Sequence, residues 1–84
     1  MSGNILTSEE LITAVKFKVA SELAIKEAFN DDADLTHYGL DSMSTVRMLV
    51  SLEEEFQVTF EDEDLLLENF RTVIKIAQLL EKRK

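Results

Sequence analysis

The chain has 84 residues, a formal net charge of −8, one histidine and no cysteine, which suits a single small acidic domain with a core that leaves little spare stability. Disulfides and thiolate metal sites are excluded, so any thiol chemistry must come from an attached group, and the charge opposes nucleic acid, whose phosphates need a basic face. With 45% hydrophobic residues, no proline, two glycines, no apolar run of membrane-span length and no secretory leader pattern, the chain reads as a folded helical protein and a cytoplasmic monomer by default.

Residues 1–6 are expected to be a flexible N-terminus, and residues 7–84 one domain. The first helix starts at Thr7 or Ser8, with Glu9 and Glu10 at its positive end. Leu11, Val15, Val19 and Leu23 recur every fourth residue, and Ile12 widens the apolar face. The helical pattern weakens through Ala24 to Phe29, with room for a further turn. Asn30-Asp31-Asp32-Ala33-Asp34 is loop chemistry, since each polar side chain can bond its own backbone. Leu35 and Tyr38 are apolar anchors for this long loop, and a loop of that length is often functional.

Gly39 marks a tight turn, and Asp41-Ser42 is the oxygen-bearing pair that a helix start calls for. The second helix is predicted over Ser42 to Phe56, with Met43, Val46, Leu49, Val50 and Phe56 as its apolar stripe. Gln57 to Phe60 reads as an extended linker, because so few residues without a partner make no sheet. A short third helix is predicted from Glu61 to Leu67, with an acidic start. Thr72 caps the last helix, whose stripe is Val73, Ile76, Ala77 and Leu80, with Lys82, Arg83 and Lys84 at its negative end. The fold class is all-α, a small four-helix bundle with a short third member and a long loop between the first two helices.

This arrangement holds the Ser42 hydroxyl at the mouth of a helix. An Asp-Ser pair there is also an ordinary cap. Ser42 is a poor hydrolytic nucleophile, because it would need a general base and an oxyanion pocket. The only histidine, His37, lies five residues earlier in the loop. No catalytic residue and no enzyme activity are assigned.

The run Gly39-Leu40-Asp41-Ser42-Met43, continuing Ser44-Thr45-Val46 and closing on Leu52-Glu53-Glu54-Glu55-Phe56, resembles the signature of the acyl carrier protein family, including peptidyl and aminoacyl carriers. The likeness extends from about Leu11 to Leu80 and takes in Glu63-Asp64-Leu65 and Asn69-Phe70-Arg71-Thr72-Val73. It implies that Ser42 anchors a 4′-phosphopantetheine arm, moved from coenzyme A by a phosphopantetheinyl transferase, whose thiol holds acyl or aminoacyl cargo as a thioester. Asp41 would orient the helix start and assist the transferase, Gly39 would supply the turn, and Met43 would lie beside the arm. Leu40, Met43, Val46, Arg47, Glu53 and Glu54 would form the docking surface for the transferase, a loading enzyme and a downstream synthase or transferase. For Val46 a place in the core is the preferred reading. Tyr38 stands where the family usually has leucine; its ring would cover the core or brush the arm.

Between Met48 and Phe70 there is no lysine or arginine, while eight acidic residues fall there. That surface keeps the protein dispersed and can steer basic partners. Fatty-acid carriers usually have acidic residues where this chain has Ser44 and Arg47, so the resemblance points to polyketide or nonribosomal peptide-type secondary metabolism, with a fatty-acid or D-alanyl carrier as alternatives. A small acidic adaptor without a prosthetic group is the alternative from another class. No metal site is assigned: neither Asp31-Asp32-Ala33-Asp34 nor Glu61-Asp62-Glu63-Asp64 has the ligand spacing of a calcium loop.

Overall fold

Thr7 starts the first helix by a reciprocal cap: Glu10 N donates to Thr7 Oγ1 at 3.1 Å and Thr7 N donates to the Glu10 carboxylate at 3.0 Å. The computed structural model describes residues 7–83; the expected flexible N-terminus, residues 1–6, and Lys84 lie outside the described residues. Helix α1 spans Ser8–Leu23 and buries Leu11, Val15 and Val19. It stops at Ala24, whose left-handed φ of 55° ends the helical path. The further turn towards Phe29 is absent, because the chain leaves the helix there to bury Phe29 itself.

The long loop is ordered by its own polar groups. Asp34 accepts from Thr36 N at 3.0 Å and from Thr36 Oγ1 at 2.6 Å, which sets up a 3-10 turn over Leu35–Tyr38. Leu35 is fully buried, and the Tyr38 ring lies 5.6 Å from that of Phe29, so it covers the core. Gly39 closes the turn at φ 103°, a backbone region that side-chain-bearing residues rarely adopt. Two backbone bonds tie the loop to the last helix and the segment just before it: Leu35 N to Arg71 O at 2.8 Å, and Ile74 N to Asp31 O at 3.2 Å. The Arg71 guanidinium adds a forked contact to Asp34 Oδ2 at 3.1–3.2 Å.

Helix α2 spans Ser42–Phe56, but the side it turns inward is not the predicted stripe. Its buried residues are Ser44, Thr45, Met48 and Leu52, while Met43, Val46 and Val50 are exposed and Leu49 and Phe56 are half-buried. Burying a serine and a threonine is cheap here because both hydroxyls find partners within the helix start. The expected extended linker follows Gln57, with Phe60 buried and its N–H bonded to Glu53 Oε2 at 2.9 Å.

The predicted third α-helix is replaced by two 3-10 turns, Asp62–Asp64 and Leu67–Phe70, so the described residues hold three α-helices and not four. Asp64 turns inward to meet Arg83 at 2.6 and 2.8 Å, and Phe70 turns inward to meet Phe60 edge-on at 5.9 Å. Satisfying both within a few residues leaves no continuous helical face. Helix α3 spans Val73–Arg83, with Thr72 Oγ1 accepting from Lys75 N at 3.1 Å. The core gathers Leu11, Val15 and Val19 from α1, Met48 and Leu52 from α2, and Val73, Ile76 and Leu80 from α3. The intervening segments contribute Phe29, Leu35, Leu40, Phe60 and Phe70.

Candidate functional site

Leu40, next after the Gly39 turn, is 4% exposed and drives into the core, which fixes where the chain must enter α2. It is therefore an internal anchor and not part of a docking surface. Asp41 then caps the helix: its Oδ1 accepts from Ser44 N at 2.9 Å, and Asp41 N donates back to Ser44 Oγ at 3.0 Å. The Ser44 hydroxyl lies 2.7 Å from Asp41 Oδ1 and 3.1 Å from Gly39 O, and Thr45 Oγ1 donates to Asp41 O at 2.7 Å. The Ser44 hydroxyl and N–H hold the Asp41 carboxyl below its usual range, with a smaller contribution from the positive charge of Arg47.

Ser42 stands outside this network. It is the first residue of α2, exposed, and the bonds of the turn run through Asp41, Ser44 and Thr45 instead. The free N–H groups of the first turn give that position a partial positive charge, which favours an attached anionic group. Alongside it runs a groove of about 210 Å3 lined by Ser42, Thr45, Val46, Leu65 and Leu67. A hydroxyl at a helix start with no hydrogen bond among the described residues, opening onto an apolar groove, fits a bulky group linked through phosphate.

Of the residues expected around Ser42, Met43 is 72% exposed and Val46 46% exposed, so Val46 is not a core residue. On an α2 turned to bury Thr45, Met48 and Leu52, position 46 faces out. Arg47 and Glu54 are exposed, whereas Glu53 is half-buried and committed to Phe60 N. His37 is exposed on its turn, and no hydrogen bond joins its ring to Ser42 among the described residues. Thr45, Leu65 and Leu67 were not foreseen as neighbours of Ser42. Thr45 lies three residues on, the helical spacing that shares a face; the two leucines arrive only through tertiary packing. Among the described residues, no cluster of three or more His, Cys, Asp or Glu is placed to hold a metal ion.

Residues 13–80 match the family described as "Phosphopantetheine attachment site". The chain is 35% identical over 77 residues to the acyl carrier protein of Buchnera aphidicola, covering 89% of this chain and 90% of that one. It is 31% identical over 85 residues to the acyl carrier protein of Exiguobacterium, covering 93% and 99%. It is also 31% identical to acyl carrier protein 2, chloroplastic, of Spinacia oleracea, of which it spans 62%. The chain belongs to the acyl carrier protein family. Its prosthetic group is a covalently attached 4′-phosphopantetheine, and proteins of this kind work with a phosphopantetheinyl transferase and acyl-handling enzymes. No helix among the described residues is long and apolar enough to cross a membrane.

Proposed function

We propose that Ser42 is the residue that carries the arm, and that this chain is a carrier loaded and unloaded by separate enzymes. One observation supports this above the others: of the two hydroxyls at the start of α2, Ser44 is buried in the cap, while Ser42 is exposed and makes no hydrogen bond among the described residues. The arm supplies a thiol that holds an acyl or aminoacyl group as a thioester. Ser42 supplies the oxygen to which its phosphate is joined, and the first turn of α2 lowers the electrostatic cost of that charge. Asp41 and Ser44 fix the direction of the turn, and Gly39 lets the chain reach it. Thr45, Val46, Leu65 and Leu67 offer apolar surface along the groove. Tethering raises the effective concentration of cargo at each docked enzyme.

The partners on this reading are a phosphopantetheinyl transferase, a loading enzyme and a downstream synthase or transferase. Assignment to polyketide or nonribosomal peptide-type pathways rests on Arg47 alone, because Ser44 is a buried capping residue and says nothing about a partner. The full-length likeness to proteins named simply acyl carrier protein favours a second reading, general acyl carriage. Loading assays with simple acyl against aminoacyl or unusual extender groups separate the two.

Intact mass after incubation with coenzyme A and a broad-specificity phosphopantetheinyl transferase tests the attachment. The protein is expected to gain one phosphopantetheine and Ser42→Ala none, with unchanged thermal melting. No gain by the folded parent would leave Ser42 an ordinary helix residue and the protein an acidic adaptor.

A further inference from the structure

Helix α1 turns Leu11, Val15 and Val19 inward, which leaves its opposite side to Glu10, Thr13, Ala14, Phe17 and Ser21, spaced three and four apart. Phe17 is 79% exposed, more than any other large apolar residue among the described residues. Its ring ends a groove of about 560 Å3 whose other walls are Glu9, Glu10, Thr13 and Ala14. Lys16 and Lys18 flank Phe17. Lys16 is paired with Asp31 at 3.0 Å, whereas Lys18 lies 3.7 Å from an exposed Glu55, a loose surface contact. That contact, with Ser51 Oγ donating to Glu22 at 2.7 Å, sets α1 and α2 antiparallel. The groove therefore lies at and beyond the C-terminal end of α2, while Ser42 sits at its other end, about 20 Å along the helix axis.

An exposed aromatic ring beside an apolar groove marks an interaction surface. The two carboxylates on the groove wall fit an occupant that brings a cation alongside an apolar knob. This chain carries that combination itself, in Lys16-Phe17-Lys18, a turn further along the same helix. We propose that the outer face of α1 is a self-pairing surface, and that its occupant is a second copy of this chain laid antiparallel. A two-fold operation puts Phe17 of each copy into the groove between Glu10 and Thr13 of the other. The same operation brings Lys18 of each copy within about one turn of Glu10 of the other. Glu10 can receive it: Oε1 accepts from Thr7 N, and Oε2 has no hydrogen bond among the described residues. Both Ser42 positions lie at the far ends of the pair and stay open to modifying enzymes. A single helix face, about 24 Å long and 10 Å wide, belongs to the small interface class, and the charge of −8 on each copy opposes approach. The chain is accordingly a monomer when dilute and pairs as its concentration rises.

The test follows translational diffusion of the full chain by NMR, from micromolar to millimolar protein, at about 0.15 M NaCl. The diffusion coefficient of the parent is expected to fall towards about three quarters of its dilute value, the change that doubling a compact chain gives. Phe17→Ala alters an exposed side chain, leaves the core intact and should show only a small fraction of that fall. Lys18→Glu and Glu10→Lys should each lose pairing, and an equal mixture of the two should regain it, because each then meets its opposite charge. Glu10→Lys also separates the local contact from overall repulsion, since it lowers the net negative charge and yet is expected to pair less. A parent whose diffusion does not change, a Phe17→Ala variant that pairs as well as the parent, or a mixture no better than either variant alone would overturn the proposal. So would nuclear Overhauser contacts from the Phe17 ring to Ile5 or Leu6 that persist at the lowest concentration, because residues 1–6 would then fill the groove. The mass gain at Ser42 is read separately, so the carrier reading stands or falls on its own.

Discussion

The two serines at the start of α2 are separated by one residue, so their side chains leave the helix roughly 200° apart. Ser44 closes the cap with Asp41, and Ser42 is left facing outward. Ser44→Ala should lower stability by about 1 kcal/mol, as loss of a cap partner does, measured as a drop in the urea midpoint. It should leave modification at Ser42 detectable, because the hydroxyl that receives the arm is untouched. Gly39 is constrained differently. A Cβ there would meet nothing within 4 Å, so the obstacle to substitution is the backbone, at φ 103°. Gly39→Ala is expected to cost roughly 1–2 kcal/mol through strain alone, and Gly39→Asn less, because asparagine tolerates left-handed angles better.

The helices were legible in the sequence where local chemistry decides them. Thr7, Asp41 with Ser42, and Thr72 all stand within a residue of an observed helix start. The inward face of α2 was not legible. Met43, Val46 and Val50 have a helical period, but so do Thr45, Met48 and Leu52, and hydropathy alone favours the wrong set. What decides is that the Ser44 and Thr45 hydroxyls are satisfied locally and can be buried, whereas Arg47 on the other face cannot. The segment after Phe60 failed for a related reason, since the partner of Asp64 lies 19 residues away at Arg83. The groove beside Ser42 was half legible: Thr45 and Val46 follow from spacing, Leu65 and Leu67 from packing only. One feature of α1 runs against propensity, because Ala24 ends it in the left-handed region. Ala24→Gly removes that strain but gains unfolded-state entropy, and the balance should stabilise by roughly 0.5 kcal/mol, measured by thermal or urea unfolding.

Across the whole molecule, three carboxylates are held by cations, two of them on segments distant in sequence. Arg83 holds the Asp64 carboxyl below its usual range, Arg71 does the same for Asp34, and Lys75 followed by Arg71 for Glu68. A carboxyl depressed in the folded state stabilises above its unfolded pKa, and that stability is lost as pH falls through the folded value. Thermal stability should therefore be retained on acidification to about pH 4–5 and then be lost progressively below the ordinary carboxylate range, as followed by circular dichroism. Removing one partner of the Asp64 pair is a sharper perturbation, since Asp64 is 3% exposed and would keep its charge without compensation. Arg83→Ala should lower the melting temperature by roughly 5–10 °C, and most of that loss should vanish in Arg83→Ala/Asp64→Asn.

The backbone bond from Leu35 N to Arg71 O closes the chain into a ring that contains α2 and Ser42, and the bond from Ile74 N to Asp31 O locks the same junction a second time. A cargo arm is a lever, and an enzyme that holds its far end pulls on the point of attachment. In an open chain such a pull would peel residues away one after another from the nearer end. Here both legs leading away from Ser42 return to the same clasp, so the load is shared between them and neither leg presents a free end to unzip. The amides of Leu35 and Ile74 should accordingly exchange with solvent more slowly than those of the loop residues between these bonds and Ser42.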